Sequence, residues 1–460
     1  MAHLFKIVQG GSTLVDLLDA TKYKLKRWQR AAFADTRKVD DQITLHALGS
    51  TADGLATNLN ALEQVAQTIK HNDALAELSL YRVPVWLQFQ PNGASYLLQS
   101  ELLDVNEEAF GDVFNVALNS KYLMDLPFKY SRRPYWEETS AQSLYTTPAV
   151  SNNGTGFAIS GARGSALSPM YIKCRSSLAS QSRLIVGMKT VGSTLSNFVS
   201  TYQAESYSAR GSNVTDLTAA ATFSGAGVNA QRWTPGTATS DQRLLLWYIT
   251  SNVVDQQGMY RVMARVRDNK ATPKVRIRAR TGNWDGTNVA WGQYPNQGAA
   301  KYCLTANATI ELVDCGVVQF PAVDTQGVTP YGFALELRGA CDSSPSTFDI
   351  DCVYLVPCEG FGNMAGMGIV TTTTAMGTGA LPDMVLNAND RMPRGYLETT
   401  GSAVLTTASD LRGGGLFIKP ATSARLYVLT QNASTGAHDI AGSNTLTVTC
   451  TPRYHLLGSS

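Results

Sequence analysis

The sequence of 460 residues has little charge, and this limits the classes of protein to which it can belong. Charged residues make up 16% of the chain, and the formal net charge is +2 at pH 7. Disordered and coiled-coil chains have more charged residues, and nucleic-acid-binding domains have a larger positive excess. The composition therefore excludes a disordered or coiled-coil chain and predicts no nucleic-acid specificity.

The sequence also has few of the residues that bind metal ions or build catalytic sites. It contains five histidines, and its seven cysteines include no C-x-x-C pair; H-E-x-x-H and G-x-S-x-G motifs do not occur. We therefore predict no metal site and no cofactor. We predict that the cysteines are buried and reduced: Cys174, Cys303, Cys315, Cys341, Cys352, Cys358 and Cys450.

No segment has the features of a membrane span or of a secretion signal. The chain has no run of ~18 or more apolar residues. The opening segment MAHLFKIVQG has no apolar core and no cleavage pattern. We expect no membrane insertion, and we expect the protein to be made and folded in a cytoplasm.

The residues that are abundant favour short strands joined by turns. Hydrophobic residues make up 44% of the chain, with 39 glycines and 19 tyrosines. Long stretches rich in Thr, Ser, Val and Leu are typical of strands. The predicted fold class is mainly β, with an N-terminal β-sandwich or split barrel that contains one helix, followed by β-sandwich and jelly-roll domains. The helix is predicted where apolar residues recur at spacings of three and four, after a cap at Thr51: Leu55, Leu59, Leu62, Val65 and Ile69.

The segment 241–358 has the strongest strand pattern. Tyr260–Arg267 and Lys274–Arg280 alternate strictly between apolar and mostly basic residues. Seven or eight strands separated by turns are typical of a jelly roll. The stretches 191–240 and 360–378 have weak strand patterns and are predicted to be loop-like.

The basic residues of these two runs are predicted to line one sheet surface: Arg261, Arg265, Arg267, Lys274, Arg276, Arg278 and Arg280. The simpler interpretation is a solvated outer face, since strands use such charges to prevent edge pairing. The functional interpretation is contact with an acidic neighbouring subunit or an anionic glycan. Its candidate contact residues are Arg261, Arg265, Arg276 and Arg278.

Two tryptophans, Trp284 and Trp291, lie in the glycine-rich segment RTGNWDGTNVAWG, which is predicted to be an exposed loop. Flat aromatic side chains stack on sugar rings because they combine a large apolar area with a polar group. Both residues are therefore candidate glycan contacts. The alternative is that they are hydrophobic plugs at the end of the sandwich.

An enzymatic function would depend on paired carboxylate side chains. A glycosidase requires two carboxyl groups ~5–10 Å apart across a cleft. Glu137 and Glu138 fit this poorly, because neighbouring strand residues point to opposite faces. We interpret Asp349 and Asp351 as part of a solvated outer face or a turn. The chain is therefore not predicted to be an enzyme.

The order of strand, amphipathic helix, long hairpin and Arg133–Glu137 (RPYWE) resembles the tail proteins of long-tailed phages. Ser79–Phe89 and Tyr96–Leu103 are part of this match. Towards the other end, the sequence resembles the last strands of the distal tail family in three places: Gly415–Ile418, Arg425–Tyr427 and Thr445–Tyr454. The resemblance covers 1–138 and 360–457 and is one of pattern and order.

In that family, the N-terminal domain builds a ring at the tail end and the C-terminal domain is a galectin-like β-sandwich. The resemblance implies a tail-ring domain at 1–138 and a galectin-like sandwich in two halves, 139–190 and 360–460. The part between, 191–359, looks like an inserted jelly roll of the carbohydrate-binding-module type. The segment Arg132–Glu138, with Pro134, Tyr135 and Trp136, would be the assembly hinge between ring and decoration.

The implied function is that of a structural virion protein, a distal tail or baseplate ring subunit that links tail tube to tip. Its partners would be copies of itself in a ring (a hexamer by family analogy), other tail proteins of the tube and the tip or hub, and a host-surface glycan. One alternative is a tail-tube or tube-decoration protein of the same particle. Another is a carbohydrate-active enzyme with a binding module.

Overall fold

A computed structural model describes most of the chain. The described residues are 4–29, 38–77, 83–105, 122–146, 148–190, 198–218, 223, 230–236, 239–269, 275–292, 300–303, 309–320, 332–342, 347–358, 366–376, 382–388, 394–399, 402–404 and 409–455. The predicted strand Phe114–Leu118 and the predicted basic residue Lys274 lie outside these ranges.

The described residues form strands β1 to β34, numbered along the chain. The first are Phe5–Gln9 (β1), Ser12–Asp16 (β2), Tyr23–Gln29 (β3), Val39–Leu48 (β4), Val85–Phe89 (β5), Leu98–Val105 (β6), Leu123–Arg132 (β7), Trp136–Glu138 (β8), Gln142–Thr146 (β9), Val150–Ser151 (β10), Phe157–Ile159 (β11), Ser168–Ser176 (β12) and Gln181–Lys189 (β13). Next come Thr201–Gln203 (β14), Ala209–Arg210 (β15), Val214–Leu217 (β16), Ala230–Trp233 (β17), Thr239–Ile249 (β18), Gly258–Asp268 (β19), Val275–Trp284 (β20), Val289–Trp291 (β21), Lys301–Tyr302 (β22), Ile310–Phe320 (β23), Gly332–Cys341 (β24) and Phe348–Pro357 (β25). The last are Met367–Met376 (β26), Asp383–Asn387 (β27), Arg394–Thr399 (β28), Ser402–Val404 (β29), Ser409–Gly413 (β30), Phe417–Ile418 (β31), Ala424–Gln431 (β32), Ser443–Cys450 (β33) and Arg453–Tyr454 (β34). The helices of the described chain are Ala52–Glu77 (α1), Val253–Gln256 (α2) and a 3-10 turn at Ala204–Ser206.

The chain divides into two compact units. The first comprises Met1–Gln142, Arg163–Leu167 and Thr451–Ser460, and the second comprises Ser143–Ala162 and Ser168–Cys450. The predicted division into three domains stays a prediction, with one correction. Residues 451–460 belong to the first unit and not to the predicted sandwich half, because β34 pairs with β8.

The first unit is an antiparallel sheet with a helix packed on it. Its strand order is β2-β1-β5-β6-β7-β4-β3, and β8 joins β6 on one side and β34 on the other. The apolar stripe of α1 is buried as predicted, since Leu55, Leu59, Leu62, Val65 and Ile69 all lie in the core. The cap is also confirmed, because the backbone N–H of Gly54 donates to Thr51 Oγ1 at 3.0 Å.

The second unit contains two stacked β-sandwiches. The first sandwich joins the sheet β10-β33-β12-β27-β28-β29 to the sheet β11-β32-β13-β26-β30. The second joins β16-β17-β25-β19-β23 to β15-β18-β24-β20-β21, with β14 and β22 added at β25 and β20. These antiparallel sheets confirm the predicted fold class of mainly β structure with sandwich and jelly-roll domains.

The two sandwiches of this unit share a buried layer. Ile185 and Leu429 point out of the first sandwich, and Met263, Tyr354 and Val356 point out of the second; all five belong to one buried cluster. Strand alternation explains this layer, because the neighbours of Ile185 face the interior of their own sandwich. The sheet that carries β19 and β25 is therefore covered on both faces.

Two stretches predicted to be loop-like contain strands. The stretch 191–240 includes β14 to β17, and 360–378 includes β26. These short or polar strands lack clear alternation, and they form because long strands elsewhere supply pairing partners, such as β25 for β17. The cysteines follow the prediction: all seven are free, and six of them are buried. Among the described residues, no helix combines the length and hydrophobicity that crossing a membrane requires.

Candidate functional site

The predicted site residues that come together lie on the outer surface of the sheet β15-β18-β24-β20-β21. Strand alternation sends Trp247 and Ile277 into the sandwich core and their neighbours outward. We call this outer surface the aromatic–arginine face. It is defined by Tyr248, Trp284, Trp291, Arg243, Arg276, Arg278, Arg280 and Arg338.

The aromatic end of the face begins with a stacked pair. The rings of Tyr248 and Trp284 have centroids 4.5 Å apart and an interplanar angle of 18°. The two residues lie on β18 and β20, with β24 between them, where the opposing residues are Ala334 and Gly332. Because these two residues are small, the aromatic side chains reach each other across β24.

Trp291 lies beside this pair on the hairpin β20–β21. The guanidinium carbon of Arg280 is 3.8 Å from the centroid of its ring, a cation–π contact. Gly282 lies opposite Trp291, and a Cβ atom at Gly282 would approach Trp291 Cε3 to 3.1 Å and Val289 Cγ1 to 2.7 Å. The absence of a side chain at position 282 therefore lets Trp291 lie close to the sheet.

At the arginine end, guanidinium groups surround a fully buried carboxylate. Glu336 accepts hydrogen bonds from Arg243 Nε at 2.6 Å, from Arg280 Nε, and from Arg338 Nη1 at 3.2 Å. Burial raises the pKa of the Glu336 carboxyl group, but donation from Arg280 and Arg243 outweighs burial and holds the pKa below its ordinary value. Glu336 is therefore ionised near neutral pH.

Two further carboxylates complete the network. Asp241 accepts from Arg338 Nε at 2.7 Å and from Arg278, and Asp342 accepts from Arg276 Nη2 at 2.5 Å. Burial acts to raise the pKa of Asp241, and its bonds to Arg278 and Arg338 lower the pKa by more. Shared carboxylates thus hold the arginines in a fixed array next to the aromatic rings.

The prediction of one continuous basic surface is wrong. Arg276 and Arg278 lie on the aromatic–arginine face, but Arg261 and Arg265 lie on β19, which belongs to the opposite sheet of the sandwich. Arg265 is 2% exposed and donates to Asp351 at 2.5 Å. The reason is the layer shared with the first sandwich, which covers the arginine-bearing side of β19.

The prediction for the tryptophans is corrected in one respect. Trp284 ends β20 and Trp291 ends β21, so the segment is a hairpin with a short turn and not a loop. Asp285 Oδ1 accepts from the backbone N–H groups of Thr287 and Asn288 at 2.8 and 2.6 Å, which fixes this turn. Both tryptophans are half-buried, so part of each ring remains accessible.

The predicted hinge Arg132–Glu138 lies inside the first unit, and this corrects its location. Trp136 is fully buried, and the guanidinium of Arg132 lies 4.6 Å from its ring centroid. Pro134 is buried, and Tyr135 packs against His455, with ring centroids 5.1 Å apart. Because β8 pairs with β6 and β34, this segment is part of the sheet.

The carboxylates of the enzymatic alternative are held in ion pairs. Asp349 is fully buried and bonds to Arg232 Nε at 2.6 Å and to Arg267 Nη2 at 2.6 Å. Asp351 pairs with Arg265, so the expectation of a solvated outer face or a turn is wrong for both residues. Within the described part of the chain, no group of three or more His, Cys, Asp or Glu side chains is placed to hold a metal ion.

Several residues of the face, and the carboxylates that bind its arginines, were not predicted from sequence: Tyr248, Arg243, Arg338, Glu336 and Asp241. Tyr248 and Arg243 flank the run LLLW, in which both sides of the strand are apolar. Such a run indicates burial on both faces and conceals the outward direction of Tyr248. In β24, the charged residues Glu336 and Arg338 alternate with apolar residues. This alternation is the one sequence signal that could have identified β24 as part of the face.

Comparisons with known proteins yield similarities of low strength. No family model matches the sequence, and no curated protein matches it. The chain is similar to a structure of the phage P2 baseplate in its activated conformation with Ca, at 10% identity and a TM-score of 0.26 over 94% of this chain and 99% of that chain. It is also similar to the N-terminal CBM22-1–CBM22-2 tandem domain from Paenibacillus barcinonensis Xyn10C, at 10% identity and a TM-score of 0.23 over 55% and 96%. A Paenibacillus xanthan lyase aligns at 10% identity and a TM-score of 0.25 over 97% of this chain and 50% of that chain. TM-scores this low establish neither a common fold nor a family.

Proposed function

We propose that the protein is a structural subunit of a tailed-phage particle, in which the first unit assembles a ring at the tail end. The observation that carries the proposal is the pairing of Tyr454 with Trp136. It returns the chain to the first unit after residue 450, so that, apart from Arg163–Leu167, residues 143–450 form an insertion. The first unit nevertheless has its own sheet and its own hydrophobic core.

Ion pairs and a tyrosine hydrogen bond hold the last strand, β34, and Arg163 to β8 in the first unit. Arg453 donates to Glu137 at 2.7 Å, and Glu138 accepts from Tyr454 at 2.8 Å and from Arg163 at 2.7 Å. Trp136 directly precedes Glu137 in sequence and is fully buried beside Trp28 and Phe89. The RPYWE segment, on which the resemblance to phage tail proteins depends most, is therefore where the first unit closes.

The second unit then has the role of decoration. Its aromatic–arginine face presents aromatic rings and ordered guanidinium groups that remain partly exposed among the described residues. Such a surface suits a glycan of the host, because rings stack on sugars and arginines donate several hydrogen bonds. We propose a binding role and no catalytic role for this face, since Glu336 and Asp241 are held ionised by arginine.

Cryo-electron microscopy of the purified protein and its parent particle tests the proposal. One ring of copies at the tail tip is the expected result. Many stacked rings along the tail would instead support a tail-tube or tube-decoration protein. A soluble monomer that is absent from every particle would overturn the structural role and favour the carbohydrate-active enzyme.

A further inference from the structure

We propose that the aromatic–arginine face selects acidic glycans, in which a sugar carries a carboxylate or a phosphate group, over neutral glycans. This inference deepens the proposed function and rests on its glycan-binding part. The structural basis is an array of guanidinium groups that exceeds its carboxylates in number and covers the central one, Glu336, directly beside stacked aromatic rings.

The charges of the face are unequal. Four arginines share two carboxylates, because Glu336 accepts from Arg243, Arg280 and Arg338, and Asp241 accepts from Arg278 and Arg338. A fifth arginine, Arg276, pairs with a third carboxylate, Asp342. Among these described residues, the arginines therefore outnumber the carboxylates by two. Two further charged residues lie near opposite ends of β20: Lys301 on β22 and Asp285 in the β20–β21 turn. Their charges are opposite and cancel in the total.

The charged side chains of the face also differ in how much of each is exposed. The Glu336 side chain is 0% exposed, whereas those of Arg243 and Arg276 are 40% and 39% exposed. A ligand that approaches the face therefore meets guanidinium groups and not the central carboxylate beneath them. Guanidinium groups bind carboxylates and phosphates with paired hydrogen bonds, which a neutral hydroxyl does not match in strength.

Arg280 joins the two parts of the face. Its Nε donates to Glu336 on one side, and its guanidinium stacks on Trp291 on the other. A sugar ring that packs on the aromatic end would therefore place its substituents next to the arginine end. This arrangement fits a polymer whose acidic group is attached to, or next to, the stacked sugar.

A matched pair of polysaccharides tests the inference, because methyl esterification removes the negative charges and leaves the sugar backbone unchanged. We would measure binding of the full chain to polygalacturonate and to its methyl ester by isothermal titration calorimetry at several salt concentrations. The acidic form should bind at least about tenfold more tightly at low salt, since a hydrogen bond to a charged group contributes about 1.5–3 kcal/mol. The difference should shrink as salt rises.

Variants separate the two parts of the face. Arg278→Gln should reduce binding of the acidic polymer several-fold more than binding of the ester, because it removes a positive charge while Asp241 keeps its bond to Arg338. Arg412→Gln, which changes an exposed arginine paired with Asp410, is the matched control and should change neither affinity. Thermal unfolding of each variant shows that a loss of binding is not a loss of folding.

Each outcome has one meaning. A polyglycerol phosphate that binds as tightly as polygalacturonate identifies a general oxyanion site, and tighter binding of either polymer identifies phosphate or carboxylate as the preferred group. Equal affinity for the acid and its ester overturns the acidic preference and leaves the proposed function standing. Absence of binding to every polysaccharide overturns the acidic preference and the glycan-binding part of the proposed function, whereas the ring role is tested separately by electron microscopy. Tighter binding of polyglutamate assigns the face to an acidic protein.

Discussion

Lys189 Nζ donates a hydrogen bond of 2.6 Å to the hydroxyl group of Tyr260 inside the second unit. Lys189 ends β13 in the first sandwich, and Tyr260 lies on β19 in the second, so the bond joins the two sandwiches. The ammonium group also donates to the backbone carbonyl of Gln257 at 2.9 Å and lies 4.9 Å from the ring centroid of Phe198. Both side chains are buried.

We expect Tyr260→Phe to lower the free energy of unfolding by about 1–3 kcal/mol, because a buried ammonium group loses an acceptor. Adding Lys189→Met should recover part of this loss, since it removes the charge that lacks its acceptor. Urea unfolding of the two variants measures both effects. Tyr122→Phe is the control, because this tyrosine residue is 36% exposed. A double variant no more stable than Tyr260→Phe would contradict this account of the pair.

Trp136→Ala should destabilise the first unit by about 3–5 kcal/mol, because it removes a fully buried ring from an aromatic cluster. Incorporation into particles should fall as a consequence. Chemical unfolding and immunodetection of assembled particles measure the two effects. Trp86→Ala removes a half-buried tryptophan from the same unit and serves as the control. Normal incorporation of the Trp136 variant would count against its place in the assembly module.

Trp284→Ala combined with Trp291→Ala should reduce adsorption of particles to the host while particle assembly remains normal. Each ring contributes about 0.5–1.5 kcal/mol as a stacking partner, so the pair should lower affinity about tenfold. Adsorption assays and electron micrographs of variant particles test the two parts. Trp86→Ala again provides a tryptophan outside the face. Unchanged adsorption would remove the face from host contact.

Glu336→Gln should destabilise the second unit by about 1–3 kcal/mol, because three partly exposed arginines lose a buried partner. The pKa of Glu336 is lower in the folded protein than its ordinary value of 4.5. The ionised carboxylate therefore contributes stability that is fully present above about pH 5 and is lost as the pH falls through the lower folded pKa. The difference in stability between wild type and variant should be constant above this pH and shrink below it.

Unfolding experiments between pH 3 and 7 measure this difference. Asp410→Asn, which changes an exposed ion pair with Arg412, is the control. If the difference in unfolding free energy between wild type and Glu336→Gln instead widened towards low pH, the carboxyl group would be protonated in the folded protein.

Some secondary-structure elements could be predicted from local sequence alone. The spacing of Leu55, Leu59 and Leu62 determines one buried stripe, because a helix of this period has a single face to bury. Strands β2 and β3 were not predicted, since Ser12–Asp16 and Tyr23–Gln29 are largely exposed and lack the alternation that burial imposes. Their pairing with β1 and β4 is what makes them strands.

The alternation in β19 and β20 is a property of the sequence, and it determines that each strand has one apolar and one arginine-bearing side. The sequence by itself does not decide what covers the second side. Tertiary structure buries Arg265 of β19 against Asp351 and leaves Arg278 of β20 on the outer face. The reason is that the covering layer comes from β13 and β32, which are distant in the chain, and no local pattern records such a contact.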